Sequence, residues 1–119
     1  MSFSEELRTK TKKLALRVIK LFQSLPKTDE AKMIGVQLFR SATSTAANYR
    51  AACRERSTAE FTSKLSIVVE EADETVFWLE LLAESKIVEE IKLQCLMNEY
   101  LGITKILSHA RKTIKKGKK

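Results

Sequence analysis

The chain has 119 residues, a formal net charge of +7, and only three glycines and one proline. A domain of this length can bury a hydrophobic core, and no apolar run reaches the ~18 to 20 residues that span a bilayer. Because the N-terminus also lacks a basic and apolar signal segment, we expect one cytoplasmic domain, residues 1–119, with no membrane partner.

The first predicted helix covers roughly residues 4–25. Its apolar residues recur at intervals of three or four, the pattern of one buried helix face: Leu7, Leu14, Val18, Leu21, Phe22 and Leu25. Ser4 is the expected N-cap, and Pro26 disfavours helix beyond Leu25. The remaining positions form a basic face of Lys10, Lys12, Lys13, Arg17 and Lys20.

The second predicted helix, roughly residues 29–55, has an apolar face whose middle is small and polar. Thr28 is its expected N-cap, and the face consists of Ile34, Leu38, Ala42, Thr45, Tyr49 and Ala52. Small residues allow another helix to approach closely, and Ser or Thr hydroxyls can bond to the carbonyl four residues earlier. This stretch therefore indicates a tight helix–helix contact.

The third predicted helix, roughly residues 58–84, begins at a capping box in which Glu60 follows Ser57 by three residues. Its heptad-like apolar seam is Phe61, Leu65, Val68, Ala72, Val76, Leu79 and Leu82. Further apolar residues lie off this seam, which is typical of a helix buried in two interfaces or central in a bundle. We select Phe77, Trp78 and Leu81 as candidate interface residues, with Trp78 as the anchor. Ordinary core packing of Trp78 is the alternative.

The fourth predicted helix, roughly residues 88–115, carries the most regular apolar repeat in the chain: Leu93, Leu96, Tyr100, Ile103, Leu107, Ala110 and Ile114. The connection before it, around Glu84–Lys86, is short, which favours antiparallel packing of the two helices that it joins. The sequence therefore predicts an all-α fold, an antiparallel up-down-up-down four-helix bundle.

Residue types that support catalysis or metal binding are few. A zinc site needs about four nitrogen or sulfur ligands, whereas the chain has two cysteines, Cys53 and Cys95, and one histidine, His109. His109 has no partners for nucleophilic catalysis, and no glycine-rich phosphate loop is present. We therefore expect no catalytic residue, metal, cofactor or small-molecule substrate. Both cysteines are expected to be small buried apolar residues, with a disulfide or a reactive thiol as the alternative.

Charge is distributed unevenly along the chain. Residues 57–85 contain one lysine and seven acidic residues, whereas the other segments are basic. Part of this charge must be neutralised between neighbouring helices, and the basic surplus is a candidate surface for polyanions. The alternative is that lysine-rich helix faces only keep the bundle soluble.

Several segments carry a resemblance to a known family: Arg40–Ser44, Ala47–Ala52, Arg54, Arg56–Ser57, Glu60–Phe61, Lys64–Leu65, Glu70–Glu74 and Trp78–Leu82. Over about residues 12–112 the chain resembles the four-helix-bundle family encoded by intervening sequences in bacterial large-subunit rRNA genes. Its members are often labelled as a ribosomal protein, and a related branch is the accessory protein of diversity-generating retroelements. The resemblance implies a bundle that assembles into a five-fold ring and binds nucleic acid, in particular RNA, rather than catalysing a reaction.

Two hypotheses follow. In the first, a non-enzymatic homo-oligomer, a pentamer by the resemblance, binds RNA through basic residues: Lys10, Lys13, Arg17, Lys20, Arg40, Arg50, Arg54 and Arg56. For the four arginines, pairing with the acidic third helix is the open alternative. In the second, the protein is an adaptor that docks a partner on the apolar face of the third helix and has no nucleic-acid role. Binding that weakens steeply with salt distinguishes the first from the second.

Overall fold

Four α-helices make up almost all of residues 3–117, the part of the chain that the computed structural model describes; side chains are described for residues 4–114. Helix α1 spans Phe3–Ser24, α2 spans Asp29–Ala52, α3 spans Thr58–Glu84 and α4 spans Glu90–Gly117. The connections are four or five residues long, so consecutive helices run antiparallel in a bundle 51 Å long. The predicted all-α four-helix bundle is confirmed.

Helix α2 packs against both α1 and α3, and α3 packs against α4. An ion pair with 2.7 Å between Lys10 Nζ and Glu99 Oε2 links α1 to α4. The predicted apolar faces form the core, and its fully buried members include Val18, Leu38, Val68, Leu79, Tyr100 and Ile103. None of the described helices is long and apolar enough to cross a membrane.

The contact between α2 and α3 is made by small residues, as the sequence predicts. Ser41, Ala42 and Thr45 on α2 are completely buried, as is Thr75 on α3. The Thr45 hydroxyl donates to the Ser41 carbonyl at 2.8 Å, and Thr75 Oγ1 lies 2.9 Å from Ser41 Oγ. These hydroxyls are satisfied inside the contact, so the two helices approach closely without an unpaired polar group.

Two predicted N-caps are present. The Thr28 hydroxyl accepts from the Ala31 amide at 3.3 Å, and the Ser57 hydroxyl accepts from the Glu60 amide at 3.1 Å. Ser4 differs, because it lies inside α1, which begins at Phe3. The predicted cap at Ser4 is therefore wrong.

Helix α2 ends earlier, and α4 begins later, than the periodicity suggests. The amides of Arg54 and Glu55 bond to carbonyls three residues earlier, which closes α2 in a tight turn after Ala52. The amides of Ile87 and Val88 both bond to one carbonyl at the end of α3, so they cap that helix instead of starting the next.

The two cysteines are less buried than expected. Cys53 is half-buried at the end of α2, and Cys95 is exposed on α4. The expectation of a buried residue is therefore wrong for Cys95. It lies between Leu93 and Leu96, which are buried, but one helical step of about 100° turns its side chain away from the core.

Lys86, two residues after the end of α3, has a backbone conformation that glycine usually adopts. Its φ is 63°, in the left-handed region where a Cβ costs an L-residue about 1 to 2 kcal/mol. We expect Lys86→Gly to raise the free energy of unfolding by about 1 kcal/mol, measured by urea denaturation. The matched control is Lys105→Gly at an exposed position inside α4, which should lower the same quantity by about 1 kcal/mol. A loss of stability in both variants would contradict this explanation of the α3 end.

Candidate nucleic-acid interface

A groove between α1 and α2 collects basic side chains at one end of the bundle. Its volume is about 570 Å³, and we call it the basic groove. The residues that line it are Arg8, Thr9, Lys12, Ala15, Thr43, Ala46, Ala47, Arg50 and Arg54. All four ionisable side chains among these described residues are cations, so the potential inside the groove is positive.

The helical repeat and the short connection after α1 together build this site. Arg8 and Lys12 are four residues apart on α1, so they lie on one face of that helix. Arg50 lies in the last turn of α2, and Arg54 follows in the tight turn after it. Because α1 and α2 are antiparallel neighbours, the start of α1 lies beside the end of α2. Two pairs of cations therefore face each other across the groove.

The floor of the basic groove is made of short side chains. Ala15 from α1 and Ala46 and Ala47 from α2 leave the space between the cationic walls open. The Thr43 hydroxyl is directed toward its own helix, where it donates to the Phe39 carbonyl at 2.8 Å. A ligand can therefore sit close to the helix backbones.

Tyr49 lies beneath the cationic end of the groove. Only 2% of the residue is exposed, and this burial raises the pKa of its hydroxyl to about 12. The neighbouring Cys53 thiol raises the pKa further, whereas a hydrogen bond with Ser4 and the charge of Arg8 oppose the shift. Tyr49 thus joins the ends of α1 and α2 that carry the groove cations.

A second groove, between α1 and α4, contains three of the predicted RNA-binding residues. It has a volume of about 450 Å³, and Lys10, Lys13 and Arg17 line it together with Glu6 and Glu99. Lys10 is paired with Glu99. The carboxylates lower the positive potential there, which makes this groove a weaker site for a polyanion than the basic groove.

For Arg40 the structure favours pairing with the acidic third helix. Its guanidinium bonds to Glu71 at 3.0 Å and also to Glu74. The Trp78 indole N–H donates to the same Glu74 carboxylate at 2.9 Å. These contacts, with the Trp78 bond the largest, lower the pKa of Glu74. Arg40 is therefore held on the α2–α3 side of the bundle, away from the basic groove.

The eight predicted RNA-binding residues thus do not form one surface. Arg50 and Arg54 lie in the basic groove, and Lys20 and Arg56 are exposed elsewhere. The eight residues do not include Arg8 and Lys12, which line the opposite wall of the groove, although Lys12 belongs to the predicted basic face of the first helix. Arg8 and Lys12 are four residues apart, as are Arg50 and Arg54. Once α1 and α2 are known to pack antiparallel, this matching spacing identifies Arg8 and Lys12 as the opposite wall.

The candidate interface residues lie along α3. Phe77 is 49% exposed, and its ring packs edge-to-face on Trp78, with centroids 4.9 Å apart and an interplanar angle of 71°. Trp78 and Leu81 are half-buried. In residues 4–114, no group of three His, Cys, Asp or Glu side chains is placed to hold a metal ion.

Comparison with known proteins places these features in context. A family model described as 23S rRNA-intervening sequence protein matches residues 5–109. A crystal structure of a Bacteroides thetaiotaomicron VPI-5482 protein with unknown function, from the S23 ribosomal protein family, is 31% identical, with a TM-score of 0.84. The match covers 92% of this chain and 97% of that one. No curated protein matches the chain.

The raised pKa of Tyr49 predicts a pH-dependent stability. In the unfolded chain a tyrosine titrates near pH 10, whereas in the folded protein the pKa of Tyr49 is about 12. Between these values the unfolded state releases a proton that the folded state retains. The free energy of unfolding should therefore fall as the pH rises through this window.

Urea denaturation of wild type and Tyr49→Phe across this pH range isolates the contribution of Tyr49. The variant should lose stability less steeply, because it lacks the Tyr49 hydroxyl and keeps only the contribution of other groups such as Tyr100, whose pKa is also raised by burial. Parallel pH profiles for the two proteins would contradict the raised pKa of Tyr49.

Proposed function

The chain belongs to the 23S rRNA-intervening sequence protein family, and from this premise we propose that it binds RNA through the basic groove, as a homo-oligomer and without catalysing a reaction. The observation that carries the proposal is the set of four cations in the groove, with no acidic side chain among the described residues that line it. Lys and Arg side chains supply most of the affinity of proteins for a phosphate backbone.

The arrangement of the four cations suits an extended anion better than a small one. On α1 the two charges are separated by one helical turn, about 6 Å along the axis at 1.5 Å per residue, and on the opposite wall Arg54 lies in the turn that follows Arg50. Positive charge therefore runs along the groove instead of converging on one point. Such an arrangement follows a polyanionic backbone and carries no direct information about base sequence.

One groove on the other side of the bundle is acidic. It lies between α3 and α4, and the carboxylates of Glu80, Glu84 and Glu90 line it above an apolar floor. A polyanion is repelled from this groove, which favours the α1–α2 side over it for RNA.

We propose that the exposed ring of Phe77 contacts a second copy of the chain and so mediates self-association. Arg40 of α2 pairs with Glu74 of α3, so Val36 and Phe39 lie level with Phe77 along the bundle. All three are exposed apolar residues, one on the α3 side and two on the α1–α2 side. In a ring whose axis is parallel to the helices, Phe77 of one copy can therefore pack against Val36 and Phe39 of the next.

Charge complementarity supports a second copy as the occupant of these surfaces. The exposed acids Asp73 and Glu80 lie one turn to either side of Phe77 on α3, whereas the exposed Lys32 lies one turn before Val36 on α2. A contact of unlike surfaces is heterologous, and such contacts close into rings when the rotation between copies allows it. The number of copies that we propose, five, comes from the family resemblance.

The RNA-binding proposal predicts a salt-dependent affinity that depends on Arg50. Arg50→Glu should weaken binding to a labelled RNA and reduce the slope of log affinity against log salt by about one unit. Fluorescence anisotropy at several salt concentrations measures both quantities. The control is Lys105→Glu, which makes the same charge change at an exposed position on α4.

A wild-type protein that does not bind RNA at low salt would overturn the proposal. Binding that survives high salt and fails in Phe77→Ala would instead support the second hypothesis, an adaptor that docks a partner on the apolar face of α3.

Self-association predicts that Phe77→Asp lowers the solution mass, because a charge at the centre of an apolar contact is not compensated there. Light scattering should show an oligomer for wild type and a monomer for this variant. Ile91→Asp is the control, since Ile91 is even more exposed, at 79%, but lies at the start of α4. A monomeric wild type, or an equal effect of both substitutions, would rule out the Phe77 contact.

A further inference from the structure

We infer that the basic groove binds a single-stranded segment of RNA, with its phosphates between α1 and α2 and its bases toward solvent. This inference rests on the proposed RNA binding and specifies which form of RNA the groove accepts. It depends on three features of the groove: cations on both walls, a short cationic stretch and a floor of short side chains.

Cations on both walls require an RNA strand that is accessible from two sides. Arg8 and Lys12 approach from α1, and Arg50 and Arg54 approach from α2. In a duplex, one side of each strand is occupied by the paired bases and the opposite strand. A duplex can therefore lie across the rims of the groove, but only an unpaired strand can enter between the walls.

The short length of the cationic stretch leads to the same conclusion. Domains that recognise double-stranded RNA span about 16 base pairs. Here the two cations of each wall are only four residues apart in the sequence, which matches a short stretch of one backbone.

The floor allows the strand to lie deep in the groove. Ala15, Ala46 and Ala47 have only a methyl group each, so a sugar–phosphate backbone can approach them closely. No aromatic ring is present among the described lining residues, and base stacking is the usual source of affinity in proteins that hold bases inward. The bases are therefore directed outward, and binding does not depend on base sequence.

Fluorescence anisotropy with two RNA probes of equal length tests the inference. The single-stranded probe is an oligouridine, which does not form stable base pairs, and the other is a blunt RNA duplex. At low salt we expect wild type to bind oligouridine about tenfold more tightly than the duplex, a difference of about 1.4 kcal/mol. Arg50→Glu should remove most of this preference, and Lys105→Glu should leave it intact.

A second variant tests the contribution of the floor to binding separately from that of the cationic walls, because it changes no charge. Ala47 is exposed, so Ala47→Phe should fold, and its ring would fill the floor of the groove. We expect it to weaken oligouridine binding about tenfold, by about 1.4 kcal/mol, and to change duplex binding little, because a duplex reaches only the rims.

The outcomes distinguish this inference from the proposed function. Equal or tighter binding of the duplex, with both probes weakened by Arg50→Glu, would overturn the single-strand inference and leave RNA binding in the groove standing. Oligouridine binding that is unaffected by Ala47→Phe would overturn it as well. No binding of either probe, or equal losses in Arg50→Glu and Lys105→Glu, would overturn the proposed site itself.

Discussion

The close contact between α2 and α3 determines where the other side chains of the bundle point. Ser41 and Thr45 face α3, and their hydroxyls are satisfied within the contact. Because each residue turns a helix by about 100°, fixing these positions also fixes the remaining faces of α2. Arg40 is thereby placed beside the acids of α3, whereas Arg50 faces the groove with α1. One contact between small residues thus separates the arginines of a single helix into two roles.

This separation matters more for the charge distribution than for stability. Exposed ion pairs such as Arg40 with Glu71 and Glu74 typically contribute about 0 to 1 kcal/mol. Their larger effect is to neutralise the centre of the α2–α3 side, whereas the described residues that line the basic groove include four cations and no acidic side chain. Lys10 is neutralised in the same way by Glu99 on α4. The basic groove is the surface that these pairings leave positive.

The two proposed activities use neighbouring stretches of the α1–α2 side, with the basic groove nearer one end of the bundle than Val36 and Phe39, and they reinforce each other. Four cations in one groove support only modest affinity for RNA at physiological salt. Several copies in one ring would present several grooves to the same strand, so that each further contact is intramolecular and the overall affinity rises steeply. A small bundle of this family could in this way hold RNA without a large interface on any single copy.

The sequence by itself determined the helices, their buried faces and the caps at Thr28 and Ser57, because periodicity and capping depend on residues close together in the chain. The small middle of α2 also predicted a tight contact before its partner was known. Only the tertiary structure decided that Arg40 meets acids while Arg50 meets Arg8 across a groove. Such pairings depend on the rotation and register of one helix against another, which no local pattern encodes. The tertiary structure also decided the end of α3 near Lys86, where the amides of the following residues bond to a carbonyl of the last turn.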